Sequence, residues 1–126
     1  MEVLVGDYRM ESGFELAKKA LNVPALTRPT ALLCANDMMA IGALEYCRAS
    51  GLNVPADVSV VGFDDVPMAP LLSPRLTTVR QPAREMGVHA AELLLDLIRG
   101  DAKPDSPKSF PVEVIVRESA AAPRSL

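Results

Sequence analysis

Residues 29–44 of this chain read PTALLCANDMMAIGAL. The segment 30–35 is a continuous apolar run, which is typical of a strand buried on both faces of a sheet. Asn36 and Asp37 follow the run, and both residue types cap helices because their side chains accept backbone N–H bonds. The stretch therefore predicts a buried strand and then a helix, which ends at Gly51, a residue suited to a left-handed C-terminal cap.

The neighbouring stretches continue the alternation of strand and helix in both directions. Residues 50–65 read SGLNVPADVSVVGFDD and predict a second buried strand over 58–63, closed by Asp64 and Asp65. Upstream, residues 3–5 predict a short strand. A helix is expected after it, because apolar residues recur at helical spacing at Met10, Phe14, Ala17 and Leu21.

Prolines and glycines divide the rest of the chain, since proline lacks an N–H and marks element boundaries. Residues 66–75 predict a Pro-rich loop and residues 76–79 a short extended segment. A helix over 83–99 is expected to end at Gly100, and a final strand is expected over 112–116. The order β-α-β-α-β-loop-β-α-β predicts an α/β fold, with a mainly parallel sheet and helices on both faces.

The composition limits the class of protein. The chain has 126 residues, of which 49% are hydrophobic and 23% charged, which is ordinary for a globular domain. Its net charge of −3 argues against unaided binding of nucleic acid, which needs a concentrated cationic face. The sequence shows no signal peptide and no apolar run long enough for a membrane span, so we expect a cytoplasmic protein without a membrane partner. Cys34 and Cys47 are expected to be reduced, packed thiols.

The side chains needed for common catalytic centres are scarce. His89 is the single histidine, and together with two cysteines it cannot supply a zinc site of the usual kind. The sequence contains no Gly-x-Ser-x-Gly elbow, no Walker A loop and no Gly-x-Gly-x-x-Gly motif. We therefore expect no catalytic residue, no metal, no cofactor and no enzyme activity, and we interpret His89 as a helix-surface or interface residue.

Polar side chains follow the predicted strands at their carboxyl ends, which is where ligands bind in open α/β sheets. The residues in question are Asp7 and Tyr8, Asn36 and Asp37, Asp64 and Asp65, with Gln81 after the fourth strand. Carboxylate and amide oxygens accept hydroxyl protons, and an aromatic face covers the apolar side of a sugar ring. The pattern predicts a site for a polyhydroxyl ligand, although helix capping and turn formation would explain the same residue types.

Four motifs resemble one known family. They are the two stretches quoted above, residues 73–82 (SPRLTTVRQP) and residues 6–14 (GDYRMESGF). Together they resemble the C-terminal part of the effector-binding core of the LacI/GalR family of bacterial transcription regulators. The resemblance extends from about residue 3 to residue 123, and the order and spacing of the motifs make it highly specific.

The resemblance implies a type I periplasmic-binding-protein-like core, in which two α/β lobes close on a small effector, usually a sugar or a nucleobase. It implies that Tyr8 forms an aromatic wall and that Asn36 and Asp64 hydrogen-bond to ligand hydroxyls. Phe63 and Gln81 are expected near the cleft. It also implies a dimer interface on this lobe, with Met38, Ile41, Glu45, Met68, Leu71 and Leu72.

The resemblance further implies how the chain is divided. Residues 1–80 are expected to form part of the C-terminal lobe, residues 81–109 a crossover and a helix that packs on the family's N-terminal lobe, and residues 110–126 the final strand and tail. That lobe and the DNA-binding headpiece have no counterpart in these residues, so DNA contact is expected only through a headpiece. Because the apolar face of the helix then lacks its partner, we predict a homodimer or an exchanged oligomer.

The leading hypothesis for function is therefore the ligand-sensing portion of a LacI-type, DNA-binding transcription regulator. A periplasmic-type sugar-binding protein of a transporter would have the same fold, but the absence of a signal peptide and the two free cysteines argue against it. A phosphorylated receiver domain fits the length and the acidic pair Asp64 and Asp65, but it needs its acid pair near the first strand.

Overall fold

The structure of the protein is a computed structural model that describes residues 2–100 and 108–123. These residues form helices α1, α2 and α3 over Met10–Leu21, Asp37–Ala49 and Ala83–Arg99. The strands β1, β2, β3 and β4 span Ala31–Leu33, Ser59–Val61, Thr78–Arg80 and Glu113–Ile115, and a short 3-10 turn spans Ala69–Leu71. The predicted order of elements is confirmed from α1 onward.

The strands are short, each spanning three residues, and they pair as β1 with β2 and β3 with β4. β1 pairs with β2 in parallel register, so that Leu32 lies opposite Val60. Two parallel bridges, Val61 to Thr77 and Asp64 to Arg80, connect β2 with β3 and the residues beside it. β3 is in turn hydrogen-bonded to β4. The predicted α/β class with a parallel sheet is confirmed.

The core lies where α2 packs against both α1 and β2. The helices cross closely because glycines stand at the crossing: a Cβ on Gly13 would overlap the backbone of Met39, and a Cβ on Gly42 would overlap the carbonyl oxygen of Met10. The rest of the core is mainly aliphatic. Its most completely buried apolar side chains are Leu21, Ala40, Ala43, Cys47, Val58, Val60, Ala69 and Leu76.

Two predictions about strands are wrong. Residues 3–5 are assigned to no strand in the described part of the chain, and Val5 is 90% exposed. β1 is not buried on both faces, since Leu33 is 81% exposed. The reason is the same in both places: an apolar run forms a buried strand only where other elements pair with it and cover it.

The chain divides into two compact units. Among the described residues, the first unit comprises 2–80 and 114–123, and the second comprises 81–100 and 108–113. In the second unit, α3 ends at Gly100 in the left-handed conformation, as the sequence predicts, and none of its residues is buried. His89 is half-buried and makes an edge contact with the Phe110 ring, 5.8 Å between ring centroids.

Both cysteines are packed into the first unit, as predicted. Burial, reinforced by the neighbouring Cys47 and Asp37, raises the pKa of the Cys34 thiol to about 12. Burial also raises the pKa of Cys47 to about 11, against a smaller opposing effect of Arg28. Because the thiolate is the nucleophile and the metal ligand, neither cysteine is a reactive group at neutral pH.

Candidate functional site

Three residues other than glycine adopt a positive φ in the described part of the chain. They are Tyr8 at 66°, Asp64 at 118° and Asp65 at 56°. Tyr8 lies just before α1, and the two aspartates directly follow the strand β2. Such conformations are uncommon for residues with a side chain, persist only where surrounding contacts hold them, and cluster at functional sites. All three belong to the polar groups that the sequence places at the carboxyl ends of the strands.

Asn36 connects the first two of these polar groups. Its Oδ1 accepts the backbone N–H of Met39 at 2.9 Å and so caps α2. Its Nδ2 donates to the carbonyl oxygen of Tyr8 at 2.9 Å, a residue 28 positions away in the sequence. Asn36 is therefore a helix cap and also holds Tyr8 in place. The amide retains capacity, since Nδ2 carries a second hydrogen and Oδ1 a second lone pair.

Asp37 is buried and connects α2 to the loop after β2 and to β3, a role that the sequence did not predict. Its side chain is fully buried, with Oδ2 accepting the N–H of Val66 at 2.8 Å and Oδ1 accepting the hydroxyl of Thr78 at 2.5 Å. Its backbone N–H donates to the carbonyl of Phe63 at 2.8 Å. A Cβ on Gly62 would overlap the Asp37 carboxyl. Gly62 is the one signal in the sequence for this close packing, because a residue with a side chain would not fit beside the Asp37 carboxyl.

The two aspartates after β2 have different surroundings. The backbone N–H of Asp64 donates to the carbonyl of Val79 at 2.9 Å. The Asp65 carboxylate is held between two arginines: Arg117 Nη2 lies 2.7 Å from Oδ1, and Arg80 Nε lies 2.7 Å from Oδ2. Asp65 therefore connects the turn after β2 to β3 and to the segment after β4. The sequence did not predict these contacts.

The stability of the chain is expected to fall as the pH drops below about 4. Burial raises the pKa of Asp65, but the hydrogen bonds and charges of Arg117 and Arg80 outweigh burial and hold that pKa below its ordinary value of 3.8. Since the folded pKa is lowered, the stabilisation is complete above the ordinary value and is lost as the pH falls through the folded value. Urea unfolding at a series of pH values measures this dependence.

The matched variants for the pH experiment are Asp65→Asn and Glu118→Gln. Asp65→Asn should flatten the profile below pH 4, because the titrating carboxyl is removed. Glu118 also has a lowered pKa, caused first by a side-chain hydrogen bond from Arg75, but this pair is solvent-exposed. Glu118→Gln should therefore change the profile less, because exposed ion pairs contribute little. A profile that Asp65→Asn leaves unchanged would contradict the assignment.

The remaining candidate site residues lie in different surroundings. Tyr8 is 65% exposed, and Phe63 and Asp64 are half-buried. Gln81 follows β3 directly and is the first residue of the second unit. No group of three or more His, Cys, Asp or Glu side chains that could hold a metal ion occurs in residues 2–100 and 108–123.

The candidate interface residues on α2 and in the loop after β2 are partly exposed. Leu71, in the 3-10 turn, is 81% exposed, and Met38 and Met68 are exposed as well. Ile41 is buried within the chain, and Leu72 packs partly against the core. Glu45 is exposed and forms an ion pair with Arg48 on the same helix.

The parallel strands β1 and β2 are followed by Asn36 and by the two aspartates, and Asn36 bonds to the exposed Tyr8, so the chain has the α/β architecture in which ligands bind at the carboxyl ends of strands. The sequence profile described as "Periplasmic binding protein-like domain" matches residues 2–120, and the chain belongs to this family. Relatives of the chain include the transcriptional repressors PurR and CytR, which confirms the resemblance to LacI/GalR regulators. None of the helices in the described residues is both long and apolar enough to cross a membrane.

The comparisons with individual proteins agree with one another. The chain is 38% identical over 117 residues to the HTH-type transcriptional repressor PurR of Aliivibrio fischeri. The aligned region covers 93% of this chain and 35% of that repressor. A dimeric Lac repressor structure matches 94% of this chain and 43% of its own, with 39% identity and a TM-score of 0.82. A LacI family regulator from Enterococcus faecium, with bound ribose, matches 97% of this chain and 44% of its own, with 30% identity and a TM-score of 0.82. The chain thus spans about a third of the length of the curated relatives it matches.

Proposed function

We propose that this chain is the effector-sensing portion of a LacI-type transcription regulator, and that its effector is a small polyhydroxyl molecule such as a sugar, with nucleobases as the second class. The observation that carries the proposal is the hydrogen bond from Asn36 to the Tyr8 carbonyl, because it brings together two of the polar groups predicted to form the site. The similarity to a ribose-bound LacI family regulator supports the sugar class.

Each proposed ligand contact has its own chemistry. The exposed Tyr8 ring offers an apolar face for one side of a sugar ring, and Asn36 can donate its second amide hydrogen to a hydroxyl oxygen. Asp64 accepts hydroxyl protons, and charged hydrogen bonds of this kind are the stronger ones. Phe63 is proposed near the ligand because it directly precedes Asp64 in the chain. Gln81 is proposed there because it directly follows the strand β3.

The proposed mechanism is a population shift without catalysis. An effector changes the balance between two arrangements of a regulator only if it binds one of them more tightly. In this proposal residues 1–80 form part of the effector lobe, residues 81–109 the crossover and helix, and residues 110–126 the final strand and tail. DNA is contacted by a separate headpiece of the whole regulator, which acts in the cytoplasm, and no cofactor takes part.

Titration of the chain with ribose, sucrose and adenine tests the effector site. We expect the amide resonances of Tyr8, Asn36 and Asp64 to shift with one of these probes. Asp64→Asn should weaken that binding at least tenfold, because a charged hydrogen bond is worth about 1.5–3 kcal/mol. Asparagine tolerates a positive φ, so this variant keeps the turn.

The control for the titration is Asp57→Asn. Asp57 accepts hydrogen bonds from Asn53 in a turn away from the strand ends, and its substitution should leave the affinity unchanged. Equal affinity in the Asp64→Asn variant and the unsubstituted chain would refute the assignment of Asp64. The absence of shifts at all three amides with every probe would refute the proposed site.

We propose that the chain also forms a homodimer or an exchanged oligomer. The exposed loop residues Met68 and Leu71 and the exposed Met38 on α2 are the proposed contacts, with Ile41, Glu45 and Leu72 beside them. Glu45 also lines an apolar groove of about 260 Å³ between α1 and α2. The similarity to a dimeric Lac repressor supports this arrangement, and the exposed apolar side chains of α3 favour further association.

Sedimentation equilibrium of two matched leucine variants tests the proposed dimer contact. Leu71→Asp should weaken association at least tenfold, because a charge would be buried in an apolar interface. Leu26→Asp is the control: Leu26 is similarly exposed but belongs to a turn outside the proposed contact. A monomeric chain at tens of micromolar, or an equal effect of both variants, would contradict the proposal.

A further inference from the structure

The carboxylate of Asp65, next to Asp64 in the chain, is bound on both oxygens by arginines. Its side chain is only 8% exposed, and each of its oxygens accepts a hydrogen bond from an arginine at 2.7 Å. Both arginines lie far along the chain, 15 and 52 residues away. The carboxylate therefore fastens the turn after β2 to β3 and to the segment that follows β4.

Arg117 is the better-buried partner, and it is fixed from several directions. Its side chain is 14% exposed, and while Nη2 binds Asp65, Nη1 donates to the carbonyl of Leu76 at 2.7 Å. Its backbone N–H donates to the hydroxyl of Thr77 at 2.9 Å. The planar guanidinium thus connects the segment just before β3 to the turn, and its rigid fork sets the geometry of both contacts.

The energetic value of such a buried pair lies in geometry more than in stability. Removing two charges from water costs about as much as their attraction returns, so an apolar replacement of similar size is often neutral. The turn that Asp65 holds, however, contains two consecutive residues at positive φ, 118° at Asp64 and 56° at Asp65. Such backbone persists only when neighbouring contacts over-determine it.

We infer that Arg117 and Asp65 are positioning residues, which together hold the backbone turn that presents Asp64 to the effector. The part of this inference that concerns the turn stands on the contacts alone, and the part that concerns the effector rests on the proposed function. Arg80 adds a second contact to the same carboxylate, but its side chain is half-exposed, so Arg117 carries the larger effect.

The chain contains a matched control for this pair. Arg75 and Glu118 also join the segment before β3 to the segment after β4, with Arg75 Nη2 at 2.8 Å from Glu118 Oε1. Their side chains are 59% and 49% exposed, and the Glu118 carboxylate accepts hydrogen bonds from the backbone N–H and the guanidinium of Arg75. Substitution of Glu118, which is adjacent to Arg117 in the chain, should therefore remove an ion pair and leave the turn at Asp64 in place.

Amide hydrogen exchange by NMR tests the turn without any ligand. In Arg117→Met, exchange of the Asp64 amide, which bonds to Val79, should accelerate at least tenfold relative to that of the Val60 amide, which bonds to Ser119. Glu118→Gln should leave the ratio of the two rates within twofold. Equal acceleration of both amides in Arg117→Met, or no acceleration at Asp64, would overturn the inference.

A second measurement uses ribose and sucrose as probes on the same variants. Arg117→Met should weaken the binding of whichever probe binds the unsubstituted chain at least tenfold, Arg117→Lys should restore part of it, and Glu118→Gln should leave it unchanged. Equal losses in Arg117→Met and Glu118→Gln would overturn the positioning role. If neither probe binds the unsubstituted chain, the proposed sugar effector fails, while the exchange experiment still decides whether Arg117 holds the turn.

Discussion

Asp37→Ala should lower the free energy of unfolding by about 3 kcal/mol, since each buried donor left without a partner costs about 1–3 kcal/mol. The carboxyl of Asp37 is fully buried and accepts the N–H of Val66 and the hydroxyl of Thr78. Alanine leaves both donors without this acceptor and opens space below Gly62. Urea unfolding followed by circular dichroism measures the change.

Two further variants make the Asp37 experiment specific. Asp37→Asn keeps an acceptor oxygen and nearly the same shape, so its effect should be smaller than that of alanine. Asp96→Ala makes the same substitution on the exposed α3, where changes are usually within about 0.5 kcal/mol. If Asp37→Ala is no more destabilising than Asp96→Ala, Asp37 does not anchor the site.

Gly42→Ala should destabilise the chain by about 1–3 kcal/mol or more, which is the usual cost of overpacking a core. An added Cβ would overlap the Met10 carbonyl oxygen and approach the backbone N of Phe14. Both atoms are backbone, so no side chain can rotate away, and α1 must move off α2. Thermal unfolding and the urea midpoint should both decrease.

The same substitution at Gly87 should have the opposite sign. Gly87 lies within α3, and a Cβ there would have no heavy atom within 4 Å among the described neighbours. Alanine is favoured over glycine in a helix interior by about 1 kcal/mol, so Gly87→Ala should leave stability unchanged or raise it. Equal destabilisation by both variants would mean that helix crossing does not explain the effect at Gly42.

Much of the secondary structure was readable from local signals. The apolar spacing of Met10, Phe14, Ala17 and Leu21 predicted α1, and Gly100 predicted the end of α3. Such signals are reliable because a glycine at positive φ or a periodic apolar face acts within a few residues of chain. The order of elements likewise predicted that Asn36, Asp64 and Gln81 follow strands, and in the structure they come after β1, β2 and β3.

The roles of individual polar residues could not be read in the same way. Asn36 and Asp37 are adjacent and both can cap a helix, yet Asn36 caps α2 while Asp37 is buried against Val66 and Thr78. The sequence also did not indicate that Asp65 forms an ion pair with Arg117. Partners that lie up to 52 residues away in the chain decide these roles.

The sequence by itself therefore determined the class of fold, the order of its elements from α1 onward and the positions of several polar residues after the strands. Only the tertiary structure decided which of those side chains are anchors, which turn is strained, and that residues 3–5 and Leu33 are not buried in a sheet. The physical reason is that helix and turn signals act over a few neighbouring residues. Burial and ion pairing depend on which distant segment arrives beside a residue, and a local pattern does not contain that information.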